Sequence, residues 1–141
     1  MDHEELTNIV IGCAFKVYNV LGFGFLESVY EKCMMIELKN SGVEAEAQKE
    51  ILVDYEGHIV GEFKADILVK NEIIVELKSL RYLLKTHEVQ LVNYLTATKK
   101  DVGLIINFGE KTVQVRRKVR DLNYYSKKSC KFRKSCLEEI L

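Results

Sequence analysis

Proline is absent from all 141 residues. The chain therefore has no proline-rich linker, no polyproline segment and no turn built on a cis X–Pro bond. No internal repeat or low-complexity stretch divides it into units. Long apolar runs are missing too, and no leader pattern opens the chain. A membrane partner is thus not expected, and cytoplasmic location is the expectation. Cysteine is scarce: Cys13, Cys33, Cys130 and Cys136 form no Cys-x-x-Cys pair. The first two fall on apolar helical positions, and the last two sit in polar surroundings without a further ligand cluster. Free thiols are expected there rather than a zinc site or a disulfide framework. A phosphate-cradling glycine loop is also lacking, because Gly22 and Gly24 follow a helical pattern and not a strand.

What is present suits one compact domain: 48% hydrophobic and 30% charged residues give an ordinary core and surface. The formal net charge of zero conceals an asymmetry. Residues 1–110 hold eleven Lys/Arg against eighteen Asp/Glu, a balance of −7, whereas residues 111–134 hold ten against Asp121 alone, +9. One folded domain at 1–119 with a basic C-terminal tail at 120–141 is the expected organisation. A basic tail on an acidic body suits phosphate contact, although a merely solvated tail fits the charge equally well.

Leu6, Ile9, Val10, Cys13, Val17 and Leu21 follow helical spacing, ended by Gly22-Phe23-Gly24. A second helix is predicted from Leu26 to Asn40, with Gly42 as its stop. Strands are predicted over 43–54, 58–69 and 73–78, then a helix over 87–98, and strands over 102–107 and 112–119. The tail has helical character from Cys136 to Leu141. A helix between the third and fourth strands is the signature of a parallel crossover. The fold class is α/β, a mixed central sheet flanked by helices.

Three Glu-x-Lys triplets occur, at 37–39, 62–64 and 76–78. The first lies in a helix, where residues i and i+2 point apart. The second lacks an apolar lead-in strand. The third ends a buried strand and precedes a helix. Upstream, Ala65, Ile67, Val69, Ile73, Val75 and Leu77 make an apolar odd face, leaving Asp66, Glu76 and Lys78 on the even one. A three-residue turn at 70–72 sets odd against odd and Asp66 opposite Glu76. Facing like charges need compensation, and a divalent cation beside Lys78 is the natural one.

This order of elements and residues resembles the PD-(D/E)XK nuclease superfamily, whose signature falls on Asp66 and Glu76-Leu77-Lys78. Within it the chain is similar to the GxxExxY family, through Gly24-Phe25-Leu26-Glu27-Ser28-Val29-Tyr30 and through blocks at 62–66, 74–78, 87–91 and 106–109. Gln90 and Tyr94 also resemble the Gln-x-x-x-Tyr motif of RecB-type nucleases. The resemblance covers residues 5–118 and implies a restriction-endonuclease-like αβββαβ core. It implies a metal-dependent nuclease acting on nucleic acid, with DNA the expected substrate and a homodimer one way to complete a short chain. Asp66, Glu76 and the Leu77 backbone carbonyl would bind Mg²⁺ or Mn²⁺, with Glu27 holding a water of that ion or a second ion. Lys78 would orient the attacking water or offset charge on phosphorus. Gln90 and Tyr94, one helical turn apart, would position substrate.

Each assignment has a plainer competitor. Asp66 and Glu76 fit a solvated strand face, Lys78 an exposed strand end, and Glu27 a first-turn helix acid. Gln90 fits a polar helix position, Tyr94 a core aromatic, and His87 a helix N-terminal residue. The competing function is a non-catalytic nucleic-acid-binding or assembly module that retains the fold.

Overall fold

The computed structural model describes residues 1–120. Residues 121–141, with Cys130, Cys136 and the predicted terminal helix, lie outside the described residues. Asp2 Oδ1 accepts the Glu5 N–H at 2.8 Å and starts α1 (His3–Leu21). Leu6, Val10, Cys13, Ala14 and Val17 form its buried stripe. The second helix, α2 (Glu27–Asn40), buries Tyr30, Met34 and Leu38. It stops where predicted: Gly42 takes φ +74°, and the Gly42 and Val43 N–H groups bond back to the Lys39 and Leu38 carbonyls. That closure needs a left-handed residue, which glycine supplies at least cost. Among the described residues no helix is long and apolar enough to cross a membrane.

The remaining elements are β1 (Ala45–Tyr55), β2 (His58–Val69), β3 (Ile73–Lys78), α3 (Lys85–Thr98), β4 (Val102–Phe108) and β5 (Val113–Val119). They build a five-stranded sheet in the order β1-β2-β3-β4-β5. β3 and β4 run parallel through the α3 crossover, and the other neighbours are antiparallel. This is the expected mixed sheet flanked by helices. α1 and α2 cover one face, packing with Ile67, Val75, Leu104 and Ile106. The α3 side chains Leu91 and Leu95 cover the other, with Leu68, Ile74 and Ile105.

One sequence expectation is corrected here. The hairpin does not oppose an apolar odd face to a polar even one: Leu68 and Ile74, both even, are buried under α3. β2 and β3 are central and sandwiched, so both faces need apolar residues. Ala65 departs further, packing with Phe63 on the α3 side although it shares parity with Ile67 on the other. The alternation of faces therefore inverts across Asp66. On β1, Gln48 sits at the same level, between the pairs Ala47–Ile67 and Lys49–Ala65, with φ +53°. Left-handed backbone is costly for a residue with a Cβ. The Gln48 side chain is anchored there, donating through Nε2 to Glu31 Oε1 at 2.6 Å. Asp66 thus stands at a break in the pleat.

Candidate active site

The turn after β2 sets the geometry. Lys70 and Asn71 take φ +51° and +59°, and the Glu72 N–H closes on the Val69 carbonyl at 2.9 Å. The ladder then pairs Val69 with Ile73, Leu68 with Ile74 and Ile67 with Val75. One step further, the same register would set Asp66 against Glu76. No ladder pair forms there. Instead Asp66 Oδ2 accepts the Leu77 N–H at 2.8 Å. The carboxylate takes the place of a strand carbonyl, which fixes one of its oxygens.

Glu76 is in a harsher environment. Its Oε1 is buried without a hydrogen-bond partner. Its pKa is pushed up to about 8, first by burial and then by the neighbouring Asp66 charge. The Asp66 backbone N–H and the Lys78 ammonium pull the other way, and both are outweighed. Lys78 lies two residues along β3 and so on the same face. A buried, unpartnered carboxylate oxygen beside a second carboxylate is a costly arrangement for a protein alone. It fits a hard divalent cation, which wants oxygen ligands and would repay the deprotonation of Glu76. Asp66, Glu76 and the Leu77 carbonyl are the groups on hand.

Glu27 comes from the opposite layer. It is exposed at the first position of α2, where an acid also complements the helix dipole. Its segment is nevertheless tied to the end of β3, because Ser79 Oγ donates to the Phe25 carbonyl at 2.7 Å. Tyr30 pins the same turn from below. Fully buried, it stacks on Phe108 with centroids 4.1 Å apart, donates to the Gly22 carbonyl and accepts the Phe25 N–H. The glycine, acid and tyrosine spacing thus has a structural account: Gly24 bends at φ +107°, Tyr30 locks the bend, and Glu27 follows it. Among the described residues, however, no group of three or more Asp, Glu, His or Cys side chains gathers at one point. Glu27 is not within such a cluster.

On α3, Tyr94 is half-buried and stacks on Phe63 at 3.9 Å, as a core aromatic does. Gln90, one turn earlier, is exposed. His87 caps the helix, its Nδ1 accepting the Leu84 N–H at 3.2 Å.

Sequence reasoning assigned no role to Asn107, although it is the one polar side chain in the apolar run Val102–Phe108. Fully buried, it accepts the Leu80 N–H at 2.8 Å and donates to the Leu80 carbonyl at 2.9 Å. Its amide also donates to Gln114 Oε1 at 3.0 Å, which in turn accepts the Leu83 N–H. Two amide side chains therefore moor the connection 79–84 that leaves Lys78. Asn107→Leu strands those Leu80 groups and is expected to lower unfolding free energy by about 2–3 kcal/mol in urea titration. A change under about 0.5 kcal/mol would contradict this account of the mooring.

The family described as the PD-(D/E)XK nuclease superfamily matches residues 4–119. No curated protein matches the chain. Among solved structures, the crystal structure of SSO0001 is similar at 20% identity with a TM-score of 0.53. The alignment covers 70% of this chain and 52% of that one, so the chain spans about half the length of that relative. At that identity the likeness concerns the fold.

Proposed function

The chain belongs to the PD-(D/E)XK nuclease superfamily, and from that premise we propose that it is a metal-dependent nuclease hydrolysing phosphodiester bonds of DNA. Within the superfamily we assign it to the GxxExxY group, on the motif Gly24–Tyr30 and its bend at the end of β3. The observation that carries the reading is the convergence of Asp66 with Glu76, whose buried Oε1 lacks a partner, beside Lys78.

Asp66, Glu76 and the Leu77 carbonyl are the proposed ligands of Mg²⁺ or Mn²⁺, with Glu27 contributing through water. The bound ion would supply positive charge to the scissile phosphate and acidify a water. The chain supplies the rest. Asp66 presents one oxygen because the Leu77 amide holds the other. Glu76 gives up its proton to act as a ligand. Lys78 orients the attacking water and offsets the charge that grows on the phosphoryl oxygens as the water oxygen bonds to phosphorus and the P–O ester bond breaks. Gln90 and Tyr94 position the strand from α3.

Incubation with linear, nicked, branched and single-stranded DNA, with and without Mg²⁺ or Mn²⁺, tests the proposal. Metal-dependent products support it; DNA that binds but stays intact under every condition leaves the non-catalytic module instead. Lys78→Met is expected to cut about a hundredfold more slowly while DNA affinity changes little. Cleavage by that variant at the parental rate would remove Lys78 from the mechanism.

A further inference from the structure

The connection that follows Lys78 and the α1–α2 turn tied to it through Ser79 both expose apolar side chains. The connection leaving Lys78 carries Leu80, Tyr82 and Leu84 at 37%, 64% and 52% exposure. The α1–α2 turn, held to it by Ser79, carries Phe23, Phe25 and Leu26 at 38%, 43% and 76%. Beside Tyr82 lies a cleft of about 460 Å³, lined also by Arg81, Glu110, Lys111, Thr112 and Gln114. Its charges are two cations and one anion. Arg81 meets Glu110 at 3.8 Å in an exposed pair, a weak contact that a phosphate can displace. Lys111 has no ion-pair partner among the described residues.

The platform is rigid. Asn107 and Gln114 moor the loop at Leu80 and Leu83, and the Glu110 N–H bonds to the Arg81 carbonyl at 3.4 Å. An exposed aromatic on a braced backbone loses little freedom when a ligand covers it. Cations flank the aromatic on the same strip, which is the combination that unpaired nucleic acid uses: phosphates track the charge and bases stack on the ring. Duplex bases stack on one another and present no free face there. A purely apolar protein partner would have no use for the interleaved Arg81 and Lys111.

We infer that Tyr82, with Arg81 and Lys111, forms a stacking subsite for an unpaired nucleotide, so that the strand led across Asp66 and Glu76 is single-stranded. For its catalytic consequence this rests on the nuclease reading; the subsite itself does not. Tyr82 is a positioning residue, touching a base beside the bond to be cut.

Binding is measured by fluorescence anisotropy with a labelled oligothymidylate, its RNA counterpart and a duplex of equal length, in EDTA, using the full chain. The parent is expected to prefer either single strand over duplex. Tyr82→Ala should lose on the order of tenfold in single-strand affinity, Tyr82→Phe should retain it, and duplex affinity should not move. Tighter binding of duplex, a Phe variant as weak as Ala, or an Ala variant as tight as the parent overturns the inference. So does a dimer that dissociates in Tyr82→Ala while no strand binds. Because no metal is present, the two readings fail separately. Tyr82-dependent strand binding without cleavage sinks the nuclease alone, and duplex cleavage indifferent to Tyr82→Ala sinks the subsite alone.

Discussion

Asp66→Asn is expected to lower DNA cleavage on the order of a thousandfold or more while the protein stays folded. The asparagine oxygen can still accept the Leu77 N–H that Asp66 Oδ2 holds at 2.8 Å, so the end of β3 keeps its shape. What disappears is the negative charge that a hard cation requires. Asp66→Ala is the less clean test, since it also strands the Leu77 amide and costs about 1–3 kcal/mol of stability. Circular dichroism should therefore place Asn near the parent, and calorimetric titration with Mn²⁺ should show no binding to it. If Asn binds the ion and cuts at the parental rate, the Asp66 carboxylate is not a ligand.

The second large effect is a pH dependence centred on Glu76, held up to about 8 from an ordinary 4.5 by burial and by Asp66. Between those values the folded protein keeps the proton and the unfolded chain releases it. This contribution to stability is therefore fully present below 4.5 and is lost as pH rises through about 8. For the metal-free protein the loss is on the order of 5 kcal/mol. Glu76→Gln should remove that slope and be the more stable protein in mild alkali. It should also fail to bind Mn²⁺. In the parent, each ion must displace the Glu76 proton below about 8, so affinity should rise roughly tenfold per pH unit over that range. Titration in buffers of different ionisation enthalpy measures the released proton directly. An affinity that stays flat across neutral pH would show that Glu76 gives up no proton to the ion.

Much of this was legible in the chain. The glycine stop at Gly42, the turn at 70–72 and the α3 crossover all came from local rules of turn chemistry and periodicity. The register of the hairpin followed from that turn, although its ladder ends at Ile67–Val75, one step short of Asp66 and Glu76. The one-sided view of the hairpin did not survive, because strand parity says which residues share a face but not whether a helix covers the other. Leu68 and Ile74 were visible as apolar residues on the supposedly polar face, and they were the available warning. The inversion across Asp66 had no such signal: at its level on the neighbouring strand stands Gln48, a polar residue in left-handed backbone that no local pattern marks. Asn107 was visible as an oddity but not as a mooring, since its partners lie 27 residues away in the chain.

The sequence by itself determined the register of the hairpin, because a turn of known length at 70–72 sets which residues of β2 and β3 stand level. Which oxygen is held and which is left bare was decided only by tertiary structure. The Leu77 amide on β3 claims one atom of Asp66, and the burial that strips water from Glu76 comes from the packing of the whole sheet and its helices. Hydrogen bonding and desolvation of that kind are contributed by neighbours distant in sequence, so no local pattern encodes them.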